Sequence, residues 1–372
     1  MRGERRTVNG LNLDQTLPPS AGAFVLAKSG HNGGMEISPA RLFRLALTSL
    51  LLAWLLPRPV AAWDAGGHEL VATMAYARLN PKAQKAVTDL ARAVQNPDQA
   101  YDAISLACWM DDLKKNTAMP YHGMFLGWHF IDTGLDPTDP PTSFEPGDDN
   151  DEHGNVVQAL KRATVVLKGG SDPYVKTKAM ACAIVMHLVG DIHQPLHCAT
   201  KYFMSGGKLH SDAGGNKEDV LNGPPGDAQF NLHAFWDSAY RASFDEATGE
   251  VVLDPAFEEQ GAHHPQNVRA LASELDLQPL APGDETRTDF DAWARESNAI
   301  ARDFVYPGVT ATDNKKNCRL SSGYVAQARQ IARARLALAA ARLAVLLNDT
   351  LGADAPTKPP PPYPAGPPSQ GW

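Results

Sequence analysis

His187 and Asp191 stand four residues apart in His187-Leu188-Val189-Gly190-Asp191, a spacing that puts an imidazole and a carboxylate on one face of a helix. His197 follows in Gln194-Pro195-Leu196-His197, and Pro195 ends the helix, so His197 approaches from the following turn. His233-Ala234-Phe235-Trp236-Asp237 repeats the spacing on a second expected helix. Asp111, in Trp109-Met110-Asp111-Asp112, and His129, in Trp128-His129-Phe130-Ile131-Asp132, add another carboxylate and another imidazole. Imidazole with carboxylate, without thiolate, is a donor set for Zn²⁺ in a catalytic site. Each pair alone reads equally well as a hydrogen-bonded structural pair. Two such pairs with a third histidine nearby turn the reading toward metal.

The elements that must position these residues lie behind a leader. Arg41-Leu42-Phe43-Arg44 is a positive segment, Leu45 to Leu56 is an apolar run, and Val60-Ala61-Ala62 supplies small residues at a cleavage site. That pattern predicts a secretory signal peptide, too short for a stable membrane anchor, cut between Ala62 and Trp63. Residues 1–62 are therefore read as leader, and Met35 starts a leader of ordinary length with 1–34 as an upstream extension. The protein is expected to be secreted or periplasmic. Cleavage would give Trp63 a free α-amino group, a nitrogen ligand once deprotonated, with His68 five residues on.

From Trp63 the pattern is that of an all-α protein. Helical spacing of apolar residues runs over Glu69–Arg78, Pro81–Val94, Val156–Leu167, Val175–Val189 and the long Val325–Leu347, which should pack across the body. Strand-like alternation is scarce. Asp136–Gly154 and Met204–Gln229 read as loops. One helical domain is expected over residues 63–350, and 351–372 reads as a disordered Pro-rich tail.

The chain has 372 residues, twelve His, four Cys and a net charge of −8. Four Cys cannot set the fold of so long a chain, which excludes a disulfide scaffold. The leader holds seven Lys/Arg and three Asp/Glu, so its removal takes the charge from −8 to −12. So acidic a chain is no dedicated binder of duplex DNA, because counterion release needs a basic footprint. Asn348-Asp349-Thr350 is a glycosylation sequon, meaningful only in a eukaryotic secretory pathway.

The motifs run in order from Trp63 to Asp237: Trp…His, Trp-x-Asp, His-Phe-Ile-Asp, His-x-x-Gly-Asp-x-x-Gln-Pro-Leu-His, Gly-Gly-Asn and Asn-Leu-His-x-x-Trp-Asp. In these the chain resembles the trinuclear-zinc, single-strand-specific nucleases of the S-one/P-one type, which share a helical fold with bacterial zinc phospholipase C. The resemblance implies three Zn²⁺. One would be held by Asp111, His129, His187 and Asp191, and one by His197, His233 and Asp237. The third would take the Trp63 amine and carbonyl, His68 and the shared Asp191. His122, His153, His193, His210, His263 and His264 match no ligand position and read as structural or exposed.

The implied activity is that of an endonuclease and 3′-nucleotidase. Metal-activated water would cleave single-stranded DNA or RNA to 5′-phosphate products, with Asp111 able to orient it. Lys114 stands where fungal members carry a phosphate-contacting Arg, and it reads otherwise as a surface lysine. Phe130 and Asp132 match a base pocket, the ring stacking an unpaired base and the carboxylate accepting its hydrogen bonds. They read equally as a core aromatic and as a partner of a ligating histidine. The rivals are a zinc phospholipase C and a non-catalytic periplasmic zinc-binding protein. The five-residue spacing of Trp63 and His68, and Asp rather than Glu at 237, favour the nuclease branch.

Overall fold

The computed structural model describes residues 63–94, 99–115, 125–135, 154–227, 229–258, 264–286, 288–313 and 317–353. The leader, residues 136–153 of the first loop and the tail beyond 353 lie outside these, as do His122, His153 and His263.

Among the described residues, nine α-helices carry the fold: α1 (Ala65–Ala77), α2 (Pro81–Ala93), α3 (Trp109–Lys115), α4 (Val156–Leu167), α5 (Lys178–Asp191), α6 (Leu232–Ser238), α7 (His264–Leu275), α8 (Phe290–Ile300) and α9 (Ser322–Leu347). Each of the five expected long helices is present. Their starts follow capping chemistry rather than apolar periodicity. The Asp64 side chain accepts from Gly67 N and opens α1 four residues before Glu69, through two glycines that mask the pattern. Thr177 caps α5 and Ser321 caps α9 in the same way, so α5 begins later than the apolar run and α9 earlier.

Helices α1, α5 and α9 form the centre. α5 is buried on every side from Ala179 to Asp191, so its histidine and carboxylate are held in the interior. Alanines dominate the buried positions of α9, among them Ala328, Ala332, Ala339 and Ala340, and let its backbone approach α1 closely. Two arginines of α9 reach inward. Arg335 Nε donates to His193 O (3.1 Å), and Arg342 donates to His193 Nε2 (2.9 Å) while pairing with Glu296. His193 is thus structural, as its lack of a motif position suggested.

The stretch read as a loop from Met204 overlaps the hairpin β1–β2 (Tyr202–Ser205, Lys208–Ser211). Its strands are too short for alternation to register, and Gly206 and Gly207, both at positive φ, close its two-residue turn. A second hairpin pairs β4 (Ala242–Asp245) with β5 (Glu250–Leu253). β3 (Asp219–Val220) runs parallel to β7 (Asn317–Arg319), which pairs antiparallel with β6 (Thr310–Asp313).

The body does not stop at residue 350. Asn348–Gly352 continue α9 as a π turn, with Leu351 packed on the core. The Asn348 side chain is engaged there, accepting from Asn80 N (2.9 Å) and donating to Arg78 O (3.2 Å), so the sequon amide is occupied within the fold. Cys108, Cys182, Cys198 and Cys318 are all buried. No helix among the described residues is long and apolar enough to cross a membrane.

Candidate metal centre

Six local elements deliver the donors to one place. His68 comes from the first turn of α1 and Asp111 from α3. His129 ends a 3₁₀ turn over Leu126–His129, and His187 and Asp191 occupy the last turns of α5. His197 comes from a second 3₁₀ turn (Pro195–Cys198) and His233 and Asp237 from α6. All eight side chains are buried.

Within this cluster, one ring nitrogen of each of three histidines is committed to a backbone carbonyl. His187 Nδ1 donates to Ala107 O (2.6 Å), His197 Nδ1 to His129 O (2.7 Å) and His233 Nδ1 to Gly214 O (2.7 Å). A carbonyl can only accept, so each Nδ1 carries the proton and each Nε2 presents a lone pair. Each of these Nε2 atoms faces another ring nitrogen. His187 Nε2 lies 3.0 Å from His129 Nδ1, and His197 Nε2 lies 3.1 Å from His233 Nε2.

Asp191 divides its oxygens, Oδ2 standing 3.0 Å from His129 Nδ1 and 3.3 Å from His187 Nε2, and Oδ1 standing 3.4 Å from His68 Nε2. Asp111 Oδ1 lies 3.9 and 3.7 Å from the same His129 and His187 nitrogens. Asp237 Oδ1 lies 3.9 and 3.7 Å from His197 and His233.

Three sets therefore have their ligand atoms close enough together to hold an ion: His68, His187 and Asp191; Asp111, His129 and His187; and His197, His233 and Asp237. The donor chemistry fits zinc. Two ligands each about 2.0–2.1 Å from a tetrahedral Zn²⁺ stand about 3.3 Å apart, which is the scale of these separations. Both ring nitrogens of His68 and Asp191 Oδ1 are buried without a hydrogen-bond partner, a cost that a cation would remove.

Electrostatics prepares the donors. Burial lowers His68 to about 3 and His129, His187 and His233 to about 4, so these imidazoles are neutral at pH 7. Burial raises Asp191 and Asp237, against hydrogen bonds from His129 and Gln194 respectively. Asp111 is also buried, yet Lys114 and the neighbouring imidazoles outweigh that and hold its carboxyl below the usual range. Lys114 is no surface lysine: its side chain is 7% exposed and Nζ lies 2.8 Å from Asp111 Oδ1.

Phe130 and Asp132 are half-buried on the extended segment leaving His129. Ile131 N donates to His197 O (2.8 Å), so this segment is laced to the turn carrying that histidine. Burial raises Asp132 to about 6, reinforced by Asp212 and opposed by Lys217. Trp63 is fully buried, and its indole Nε1 donates to Gly190 O (2.9 Å). Asp64 N donates to Asp237 O (3.1 Å), and the Asp64 carboxyl receives Tyr240 Oη and Arg241 Nε, both at 2.8 Å. The start of α1 is thus pinned to Gly190 of α5 and Asp237 of α6.

Two glycines of the motifs have steric reasons. A Cβ on Gly190 would stand 3.0 Å from His68 Nδ1, and one on Gly214 would stand 2.7 Å from Leu196 O. Gly214 also has φ of +60°, which turns its carbonyl to His233. Motif spacing named the donors but not their orienters. The carbonyls of Ala107, His129 and Gly214 carry no side-chain signature. Asp64 and Gln194 stood in or beside the motifs, with only their polarity to mark them.

The family model for S1/P1 nuclease matches residues 63–352. Endonuclease 2 of Arabidopsis thaliana is 28% identical over 317 residues, covering 82% of this chain and 96% of that protein. Nuclease S1 of Aspergillus oryzae is 28% identical over 218 residues, 58% of this chain and 65% of that protein. Nuclease P1 of Penicillium citrinum is 23% identical over 255 residues, 66% of this chain and 82% of that protein.

Proposed function

The chain belongs to the S1/P1 nuclease family, and from that premise we propose that it is a zinc-dependent endonuclease of single-stranded DNA and RNA. It leaves 5′-phosphate products and also acts as a 3′-nucleotidase. The observation that carries the reading is the convergence of imidazole nitrogens, 3.0 and 3.1 Å apart, those of His187, His197 and His233 unprotonated, with the oxygens of Asp111, Asp191 and Asp237 around them.

Three Zn²⁺ are proposed: one on Asp111, His129, His187 and Asp191, one on His197, His233 and Asp237, and one on His68, Asp191 and the Trp63 amine and carbonyl. When bound, zinc supplies water of lowered pKa and positive charge for the phosphoryl oxygens. The chain's own residues do the rest. Asp111 accepts the proton side of the attacking water and aligns it. Lys114, held in place by Asp111, offers its ammonium to a phosphoryl oxygen as a point charge. The half-buried Phe130 ring stacks an unpaired base, a contact worth about 1–3 kcal/mol. Asp132 accepts hydrogen bonds from that base at neutral pH and is progressively protonated below about pH 6. Stacking on one ring requires a base free of its partner, which accounts for single-strand preference in an acidic chain.

Residues 1–62 are proposed to be removed on export, so that Trp63 begins the nuclease domain in a secreted or periplasmic protein. The test uses protein with a verified Trp63 N-terminus. Zinc-loaded protein should degrade single-stranded DNA and RNA in preference to duplex, leave 5′-phosphates, and stop on chelation. Hydrolysis of phosphatidylcholine alone, or zinc content without any phosphodiesterase activity, would overturn the reading.

A further inference from the structure

Gln194 has no exposed surface and touches three of the candidate zinc ligands. Its side-chain Nε2 donates to Asp237 Oδ1 at 2.7 Å. Its backbone N–H donates to Asp191 O (2.9 Å), and its backbone carbonyl accepts from His197 N (3.1 Å). The orientation of its amide is not ambiguous. Leu196 N–H donates to Oε1, and a donor there forces the NH₂ group toward Asp237. The oxygen it grips, Oδ1, is the one that stands 3.9 Å from His197 and 3.7 Å from His233.

We infer that Gln194 is a positioning residue that fixes the Asp237 carboxylate toward His197 and His233 while its backbone spaces that set from Asp191. The inference rests on the proposed zinc sites and goes beyond them by assigning how one is held in register. An amide suits the task. Glutamine adds no charge to a crowded acidic interior, takes up no proton near neutrality and donates to a carboxylate without competing for a cation. A carboxylate in its place would repel Asp237, and a lysine would add a fixed charge where zinc must bind. With its oxygen taken by Leu196, the amide cannot turn over, so Asp237 meets a permanent donor.

The test compares wild type, Gln194→Met, Gln194→Glu and His197→Ala as reconstituted full-length mature protein. Zinc per chain is measured by elemental analysis, affinity by chelator competition, and the ligand field by cobalt(II) absorption. Gln194→Met removes both side-chain contacts. Gln194→Glu keeps the acceptor for Leu196 N–H and replaces the donor to Asp237 by a repelling carboxylate oxygen, so it decides the matter should the first variant not fold.

Both substitutions should weaken one zinc by about 10–100-fold, the zinc that His197→Ala also loses, and should alter the cobalt spectrum while leaving the remaining zinc unchanged. Wild-type zinc number with affinity within about twofold in Gln194→Glu would overturn the inference alone. Equal loss of melting temperature with and without zinc, with an unchanged cobalt spectrum, would also overturn it. A wild-type protein that takes up no zinc would overturn the proposed function and this inference together.

Discussion

His197 Nε2 and His233 Nε2 face each other across 3.1 Å, while the opposite nitrogen of each ring is bonded to a backbone carbonyl. Two neutral imidazoles so arranged have no proton to share, and a cation between them satisfies both. Chelation of the mature protein should therefore abolish hydrolysis and lower the melting temperature, and zinc should restore both. Replacing either histidine by alanine should cost at least about 100-fold in activity. A chelated protein that melts and cleaves as before would sink the metal reading.

Zinc should also survive mild acid. His68 is lowered to about 3 and His129, His187 and His233 to about 4, so protons compete for these nitrogens only as the pH approaches 4. A free imidazole would begin to compete near 6.5. Zinc per chain, measured after gel filtration at successive pH values, should lose at most the ion proposed on the Trp63 amine between pH 7 and 5, and the rest nearer 4. Loss of the other ions centred near pH 6.5 would contradict the buried, neutral state of the donors.

Lys114 separates charge from ligation. Its ammonium lies 2.8 Å from Asp111 Oδ1 inside the cluster. Lys114→Met should lower kcat/KM on single-stranded DNA by about 10–100-fold, with no loss of zinc affinity, since a competing cation has been removed. Lys114→Arg should recover much of the activity. Wild-type kcat/KM in the Met variant would remove Lys114 from the phosphate's path.

Asp132 makes a stability prediction of definite sign. Its folded pKa of about 6 lies above the ordinary value of 3.8, so its favourable contribution is complete below about pH 3.8 and is lost as pH rises through 6. Asp132→Asn removes the ionised form. It should stabilise the fold by roughly 1–2 kcal/mol at pH 8, allowing for solvent screening at a half-buried carboxyl, and by nothing near pH 4. Denaturant titrations at the two pH values measure this. The same variant should change the order of preference among 3′-mononucleotides.

The amino group of Trp63 is open to a direct trial. A chain that keeps one extra residue before Trp63 replaces an amine by an amide, which does not bind zinc at neutral pH. That protein should hold one zinc fewer and lose most of its activity, as read by elemental analysis beside intact mass. Full zinc and full activity would remove Trp63 from the ligands.

Much of the site was legible because ligand chemistry is written in side chains at fixed spacing. His187 with Asp191 and His233 with Asp237 both obey helical geometry, and Pro195 marks where His197 must turn in. The long helices were legible for the same reason. What escaped is written in backbone or in packing. The carbonyls that orient His187, His197 and His233 belong to Ala107, His129 and Gly214, whose residue types carry no such message. Lys114 was readable as surface until Asp111 was found beside it. The start of α1 was hidden by Gly66 and Gly67, which apolar periodicity cannot register.

Arg335 and His193 are joined across 142 residues of chain. All nine proposed ligands precede Asp237 or end with it, so they leave the ribosome well before the helix whose arginines brace the turn between Asp191 and His197. At about 5–20 residues per second, that turn waits on the order of ten seconds or more for its brace. A chain broken after Asp237 would own every side-chain ligand and lack the frame that keeps them in register. Such a fragment would carry the chemistry of the site without the helix that holds His193 in place.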